Sequence, residues 1–237
     1  MAAERRGAVK EIAKTIVAFS GGKDSHLVLM KASAAAAGGK PGLLYLDGGS
    51  KHFGYFNDFR NPELFRALAQ ELGLEAYVQK MDGFGYDAAF IGRAWREASV
   101  KIGKAGAFYL GLPGASGKGG LPASVRGAGG GTACVYPMLG VSPADAFREA
   151  RRLGFKMLVT GAVARESRGF LGKLVDEAFM RQIGEFSEKG KGPDNFDLQT
   201  LVLKSPLMKR ELRVLKSRQV DTAGGERHLE ILKWDFK

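Results

Sequence analysis

Six residues near the start of the chain, Ser20-Gly21-Gly22-Lys23-Asp24-Ser25, combine the groups that bind a phosphate. The two glycines allow positive φ and let an oxygen approach the backbone amides without a Cβ in the way. Ser20 and Ser25 carry hydroxyl donors, and Lys23 supplies a point charge. Asp24 adds a carboxylate, which suits a magnesium ligand or a group that orients Lys23 or water. The stretch therefore predicts an anion-binding loop.

The neighbouring elements favour this interpretation. An apolar, β-branched run at 12–19 precedes the loop and a helix-forming run at 25–37 follows it. Strand, tight turn and helix would place the amides of Gly21 and Gly22 at a helix N-terminus, where unpaired N–H groups and the helix dipole favour an anion. The less favoured alternative is an ordinary Gly-Gly turn, with the helix capped by Ser or Asp.

Two common phosphate-binding motifs are missing from the sequence. It contains no Gly-x4-Gly-Lys-Ser/Thr, and no Gly-x-Gly-x-x-Gly follows a predicted strand, which argues against a Walker-type NTPase and a dinucleotide fold. The stretch from Ser20 to Ser25 instead resembles the signature of the PP-loop ATP pyrophosphatase superfamily. That resemblance implies a HUP-like, Rossmann-like fold that binds ATP with Mg²⁺ and cleaves it to AMP and pyrophosphate.

Composition places the chain among folded globular proteins. It has 237 residues, of which 45% are hydrophobic, enough for a substantial core. No apolar run reaches the roughly 20 residues that span a bilayer, and residues 1–10 lack the apolar core of a signal peptide, so a cytoplasmic location is expected.

Cys134 is the single cysteine, which excludes an internal disulfide or a Cys-x-x-Cys pair. We expect Cys134 to be a small buried residue rather than a nucleophile.

The net charge of +11 suits an acidic partner, such as a nucleotide, a nucleic acid or an acidic protein. Solubility alone explains the charge equally well. The lysines and arginines are spread along the chain with no aromatic-interleaved basic run, so RNA is possible but not favoured. The sequence gives no indication of the oligomeric state.

The first half alternates strand and helix signals, which predicts a doubly wound parallel sheet. Ligands in such sheets lie off the carboxyl ends of strands. Leu46 and Asp47 end the second predicted strand and could meet a base or ribose, although Asp47 could equally be a turn residue. The predicted strands are 12–19, 42–47, 74–79 and 107–112, and the predicted helices are 25–37, 61–72 and 86–102.

Residues 103–131 are rich in glycine and contain Lys118 and Arg126. This stretch could be a lid over a nucleotide, with these two side chains on phosphate, or a disordered surface insertion. We place a domain boundary at its end, between a nucleotide-binding domain at 1–132 and a substrate domain at 133–237.

The second half mixes helix and strand signals in an α+β pattern, so we expect a smaller C-terminal α+β domain. Its predicted helices are 142–153 and 171–186, its predicted strands are 155–163, 201–205, 212–215 and 229–234, and a polar loop is predicted at 187–195.

Four blocks of the second half resemble the diphthine–ammonia ligase family. They are 136–140 (YPMLG), 154–159 (GFKMLV), 171–176 (LGKLVD) and 200–207 (TLVLKSPL). The resemblance implies amidation of a modified histidine on translation elongation factor two. A substrate carboxylate would attack the α-phosphate of ATP, and ammonia would displace AMP from the acyl-adenylate. Lys23 and Asp24 would then be catalytic.

The chain departs from this family at 193–200. A Gly-Glu-Gly-Gly-Glu-aromatic-Glu-Thr run is replaced by Pro-Asp-Asn-Phe-Asp-Leu-Gln-Thr, which keeps two acids as Asp194 and Asp197. We expect Asp194 and Asp197 to attract ammonium and accept its proton, and Gln199 and Thr200 to contact substrate. The alternative is a solvated polar turn.

Two other functions remain open. One is a PP-loop enzyme that adenylates a tRNA base, although thiolation usually needs paired cysteines and Cys134 has no companion. The other is a non-catalytic ATP-binding module. ATP bound without release of AMP would identify the module.

Overall fold

The structure, a computed structural model, describes residues 14–36, 39–47, 62–81, 88–102, 105–111, 132–162, 165–188, 198–221 and 225–237. The described part forms two sheets. The first is a five-stranded parallel sheet in the order β3-β2-β1-β4-β5, and the second is a four-stranded antiparallel sheet in the order β7-β6-β9-β8. The predicted α/β class, a Rossmann-like parallel sheet followed by a smaller α+β region, is confirmed.

Strands and helices alternate through the parallel sheet. The strands are β1 (Lys14–Ala18), β2 (Gly42–Asp47), β3 (Ala76–Lys80), β4 (Ala105–Tyr109) and β5 (Ala133–Val135). The helices are α1 (Lys23–Ala35), α2 (Pro62–Leu72) and α3 (Ala88–Ile102). Every pairing within this sheet is parallel, as the alternating pattern predicts.

Both faces of the parallel sheet are covered by helices, which is why the central strand β2 is an almost continuous apolar run. Val17, Leu43 and Tyr45 point to the face packed by α1 and α2, and this core continues into the antiparallel sheet. Ile16 and Leu44 point to the opposite face, where α3 supplies Ala94, Trp95, Ala98 and Ile102.

The second half begins with α4 (Pro143–Arg152), β6 (Lys156–Ala162), a short 3-10 helix (Arg165–Phe170) and α5 (Glu177–Glu188). It ends with β7 (Leu198–Lys204), β8 (Leu212–Asp221) and β9 (Arg227–Phe236). No helix in the described ranges has both the length and the apolar composition needed to cross a membrane.

The expected helix over 171–186 begins later than predicted. Residues 171–176 run alongside β6 instead, because Val175 N donates to Met157 O and Leu174 bridges to Leu158. Asp176 then accepts from Phe179 N at 2.8 Å, and α5 begins at Glu177. A carboxylate acceptor at the helix start and an acid in the first turn are ordinary start signals.

The strand β5 lies C-terminal to the predicted domain boundary yet pairs with β4 of the parallel sheet. Part of the glycine-rich stretch is strand β4, and its remainder at 112–131, with Lys118 and Arg126, lies outside the described residues. The division at 132 and the lid both stay predictions.

Candidate functional site at the Ser20–Ser25 loop

The loop lies at the carboxyl end of β1, in the middle of the parallel sheet. Strand order reverses between β1 and β4, because β2 and β3 extend from one side of β1 and β4 and β5 from the other. Crevices at such a reversal are where open α/β sheets bind ligands. Gly111, after β4, runs so close to the start of α1 that a Cβ there would stand 3.3 Å from the Asp24 carbonyl carbon. The sequence therefore folds the six-residue motif into the expected position.

The two glycines have different roles. Gly21 has φ 85°, a left-handed conformation that favours glycine, as predicted. Gly22 has φ −79° and ψ 170°, an extended conformation open to any residue, so the expectation of positive φ at Gly22 is wrong. Gly22 is the N-cap of α1, which begins at Lys23, two residues before the predicted start.

The backbone carbonyls of Gly21 and Gly22 both accept hydrogen bonds from other groups of the protein. Gly21 O accepts from Val202 N of β7 at 2.9 Å. Gly22 O accepts from His26 N at 3.1 Å and from the Ser25 hydroxyl at 2.9 Å. The ring atom Nδ1 of His26 lies 3.2 Å from the same oxygen. These bonds fix the two peptide planes and engage both carbonyls with donors of the protein.

The amides of this turn are not all unpaired, as the sequence had suggested. Lys23 N donates to the Thr200 hydroxyl at 3.1 Å, and Gly22 N lies 3.4 Å from the Ser20 hydroxyl. Among the described residues, Asp24 N and Ser25 N have no acceptor. The first turn of α1 therefore offers an anion the amides of Asp24 and Ser25, with the dipole of a 13-residue helix behind them.

The point charge of Lys23 does not extend freely from the loop. Its side chain is only 4% exposed, its Nζ lies 4.4 Å from the centre of the Phe147 ring, and it donates to Asp24 Oδ2 at 2.8 Å. A cation over an aromatic face and beside a carboxylate is stabilised in both contacts. To contact a phosphate, the Lys23 ammonium must break its hydrogen bond to Asp24 or bind both groups at once.

The second oxygen of Asp24 fits the metal role. Oδ1 is buried and has no hydrogen-bond partner in the described part of the chain. Mg²⁺ in nucleotide sites is commonly held by one or two carboxylates together with substrate phosphates. Within the described ranges, no group of three or more metal-ligating side chains occurs. In the described part of the chain, Asp24 Oδ1 is thus a carboxylate oxygen that could hold a metal ion beside the loop.

His26, which lies outside the six-residue motif, stabilises the loop through its contacts with Gly22 O. Its ring is fully buried against Phe19 and Phe155, with centroids 4.7 and 5.9 Å away. Burial lowers the pKa of His26 to about 4, against the raising effect of the Gly22 and Gly21 carbonyls. The imidazole is therefore neutral near pH 7 and donates Nδ1–H to Gly22 O. The available signal was a histidine directly after the motif, within an apolar run.

Among the predicted contact residues that the structure describes, Thr200 lies at the loop, where it accepts from Lys23 N. Leu46 is buried in the apolar core that α3 covers. Asp47 is half-buried at the end of β2, and its carbonyl accepts from Met81 N. Gln199 is next to Thr200 in β7. Asp194 and Asp197 lie outside the described residues.

Cys134 is partly exposed in β5, so the expectation of a buried residue is wrong. Burial of part of the side chain raises the pKa of the Cys134 thiol, against a hydrogen bond with Tyr136 that lowers it. A thiol with a raised pKa is a poor nucleophile at neutral pH.

Comparisons with known proteins add little to this geometry. No family model matches the chain, and no curated protein matches its sequence. Among solved structures, the chain is similar to a predicted subunit of a tRNA methyltransferase from Methanocaldococcus jannaschii. The two share 18% identity and a TM-score of 0.43, over 82% of this chain and 98% of the other. A likeness this distant carries no argument about what the chain does.

Proposed function

We propose that the chain is an ATP-dependent amide ligase that releases AMP and pyrophosphate. The observation that carries the proposal is the Ser20–Ser25 loop at the carboxyl end of β1, where strand order reverses. The carbonyls of Gly21 and Gly22 accept hydrogen bonds from the protein, and the amides of Asp24 and Ser25 remain for an anion. In sequence the loop resembles the PP-loop signature rather than a Walker motif.

Each group of the loop has a role in this reaction. The amides of Asp24 and Ser25 bind the pyrophosphate part of ATP, and the dipole of α1 favours the charge that develops there as the α–β bond breaks. Lys23 exchanges the Asp24 carboxylate for a phosphate oxygen and stabilises the leaving group. Bound at Asp24 Oδ1 and the phosphates, Mg²⁺ would neutralise part of the same charge. His26 and Val202 keep the loop in this conformation.

For the acyl substrate we propose the modified histidine of elongation factor two, with ammonium as the nitrogen source. The support is the sequence resemblance of 136–140, 154–159, 171–176 and 200–207 to the diphthine–ammonia ligases. The net charge of +11 is compatible with a protein partner that presents acidic surface.

The experiment uses the full chain with ATP, Mg²⁺ and ammonium chloride, and elongation factor two in two forms. One form carries diphthine and the other an unmodified histidine. We expect AMP and a carboxamide-bearing factor in equal amounts with the first form and neither with the second. AMP release without amidation would point to another acceptor, and the same assay with unmodified tRNA tests base adenylation.

A non-catalytic ATP-binding module is the second candidate. It is favoured by the Lys23 ammonium, which is buried against Phe147 and paired with Asp24, and by the Lys23 amide, which is occupied by Thr200. In such a module these contacts would persist when ATP binds. Calorimetry that detects ATP binding, together with no AMP release under any substrate condition, would establish the module.

A further inference from the structure

Charged side chains lie opposite one another along the hairpin that β8 and β9 form. Two cross-strand pairs join an arginine to the carboxylate that faces it, Arg213 with Asp235 and Arg218 with Glu230. Between these two pairs, Lys216 lies opposite Lys233. Opposed side chains have Cβ atoms roughly 5 Å apart, and like charges in such positions destabilise a hairpin. The hairpin therefore carries one destabilising charge pair between two stabilising ones.

The charge of the lysine pair is not neutralised within the described part of the chain. Lys216 and Lys233 are both exposed, and neither forms an ion pair there. The carboxylates on either side are held by the arginines that face them. The Arg213 hydrogen bond lowers the pKa of Asp235, and Lys233 adds a smaller effect at longer range. Two positive charges are thus left together at one point of the hairpin.

Both strands are irregular at the lysine pair. Each has one residue too many for the ladder, Leu215 in β8 and Leu232 in β9, on either side of the Lys216–Lys233 pair. These two leucines are 49% and 41% exposed. β-Bulges redirect side chains and recur next to functional sites. Two exposed apolar side chains consequently adjoin the two exposed ammonium groups.

Protection of the sheet edge explains only part of this arrangement. β8 is an edge strand, and lysines and bulges on edge strands discourage pairing with another chain. Exposed leucines act in the opposite direction, because they favour association with an apolar surface. A surface that has both features fits a partner that is both acidic and apolar.

The neighbouring ion pairs distinguish between the classes of acidic partner. They carry no net charge, so the attraction for an anion is concentrated at the lysine pair. A phosphate backbone or an anionic membrane gains most from a broad basic patch. A single carboxylate with apolar neighbours gains fully from two lysines and two leucines, and such a group belongs to a protein surface.

The hairpin belongs to the sheet that also holds the Ser20–Ser25 loop. Thr200 of β7 accepts from Lys23 N, and the order of the sheet places β8 three strands away from β7. Three strand spacings of about 4.8 Å amount to roughly 14 Å. A folded protein can contact both places at once, whereas a small substrate cannot.

We propose that Leu215, Lys216, Leu232 and Lys233 form a docking surface for the protein substrate. They bind an Asp or Glu carboxylate of that protein together with apolar side chains next to it. The assignment rests on the proposed function, because it requires a protein acceptor. Both ammonium groups donate to the one carboxylate, which removes their mutual repulsion, and the leucines are withdrawn from water.

Binding of the diphthine-bearing elongation factor to the full chain, measured by calorimetry without ATP, tests this surface. Lys233→Glu converts the like-charged pair into an opposite-charged one, so it should slightly raise the melting temperature. The same variant should weaken binding by about tenfold or more, because the carboxylate of the partner is then repelled. No binding to the wild type, or unchanged affinity in Lys233→Glu, would overturn the docking surface.

Arg96→Glu is the matched control. Arg96 is exposed on α3, which packs on the opposite face of the parallel sheet from the core shared with the antiparallel sheet. The substitution makes the same change of charge, and we expect the affinity to change by less than about twofold. Equal losses in Arg96→Glu and Lys233→Glu would show that only the total charge matters and would refute a local surface.

Leu215→Ser tests the apolar part of the surface. It should weaken binding several-fold while leaving the salt dependence unchanged, whereas Lys233→Glu should reduce the salt dependence. If the lysines only protect the sheet edge, Lys233→Glu would increase self-association in light scattering and leave binding of the factor unchanged. That result would refute the proposal.

Parallel titrations with unmodified tRNA and with vesicles of anionic phospholipid test the other classes of partner. We expect Lys233→Glu to affect binding of the factor more than binding of either probe. A larger loss for tRNA or for vesicles would assign the surface to nucleic acid or to a membrane and overturn the proposal.

The docking surface and the proposed function can fail separately. Binding of the factor that depends on Lys233, without AMP formation, would retain the surface and reject the ligase. Amidation with an unchanged KM for the factor in Lys233→Glu would retain the ligase and reject the surface. If both hold, Lys233→Glu raises KM for the factor by about tenfold and leaves kcat and KM for ATP nearly unchanged.

Discussion

The hydroxyl of Thr200 accepts a hydrogen bond from the backbone amide of Lys23, at 3.1 Å and across 177 positions of sequence. A side chain from the antiparallel sheet thereby satisfies the first free amide of α1, which helices more often satisfy with a neighbouring residue. The same strand donates from Val202 N to Gly21 O. The conformation of the anion-binding loop thus depends on the second half of the chain.

Replacing Thr200 by Val keeps the side-chain shape and removes the acceptor. We expect a loss of about 1 kcal/mol in the free energy of unfolding, because the amide of Lys23 becomes a buried unpaired donor. Thr200→Ser, which keeps the hydroxyl, is the matched control. Urea denaturation of both variants measures the difference, and equal stability of the two would show that the hydrogen bond contributes nothing.

We expect His26 to lower the free energy of unfolding at acidic pH. Its pKa is lowered from 6.5 to about 4 in the folded protein, so folding favours the neutral imidazole over the protonated one. Above pH 6.5 the ring is neutral in both states. Between pH 6.5 and 4 the unfolded chain takes up a proton that the folded chain does not, and stability falls by up to about 3 kcal/mol. Below pH 4 the penalty is constant.

The His26→Leu variant isolates that contribution. It should be less stable than the wild type at pH 7.5, where the bond to Gly22 O is lost, but should lose about 2 to 3 kcal/mol less on acidification to pH 4.5. Urea unfolding at the two pH values gives the comparison. A parallel decline of both proteins would contradict the assigned titration.

Glu71 of α2 forms an ion pair with Arg210, which lies two residues before β8. The Glu71 carboxylate, whose side chain is 3% exposed, accepts from Arg210 N, Nε and an Nη at 2.6, 2.9 and 2.7 Å. Burial raises the pKa of Glu71, but the Arg210 bonds outweigh it and leave that pKa below its usual value. The pair therefore stabilises the fold fully above the ordinary carboxyl pKa and is lost as pH falls through the lowered value.

A double-mutant cycle measures this pair. Glu71→Gln and Arg210→Met preserve most of the packing, including the contact of Arg210 with the Phe236 ring. We expect a coupling energy of about 1 to 2 kcal/mol at pH 7, since Arg210 is half-exposed and solvent screens it. The coupling should weaken as the pH is lowered and the Glu71 carboxylate becomes protonated, and a coupling independent of pH would contradict the ion pair.

Lys23→Met removes the charge while keeping the buried stem against Phe147. We expect the melting temperature to change by only a few degrees and AMP formation to fall at least 100-fold, because the leaving-group charge loses its cation. Lys23→Ala should in addition unfold more easily, since its stem is buried. Scanning calorimetry and product assays compare the two variants. Full activity in Lys23→Met would exclude a catalytic role.

Sequence patterns close to the loop were enough to locate the candidate site. The contacts of its side chains and amides come from residues far away in the sequence. The motif, the apolar run before it and the helix-forming run after it were all visible in sequence, as was the positive φ at Gly21. The burial of Lys23 was not predictable, because it depends on Phe147 of α4. The pairing of Thr200 with the loop depends on strand packing that periodicity alone does not encode.

The position of the bond cleaved in ATP tests the central proposal most directly. The full chain is incubated with ATP labelled at the α-phosphorus, Mg²⁺, ammonium and the diphthine-bearing factor, and the products are separated by chromatography, with Lys23→Met as the control. We expect label in AMP, an equal amount of pyrophosphate, and neither product from the variant. Label in ADP, with inorganic phosphate as the second product, would contradict the proposal.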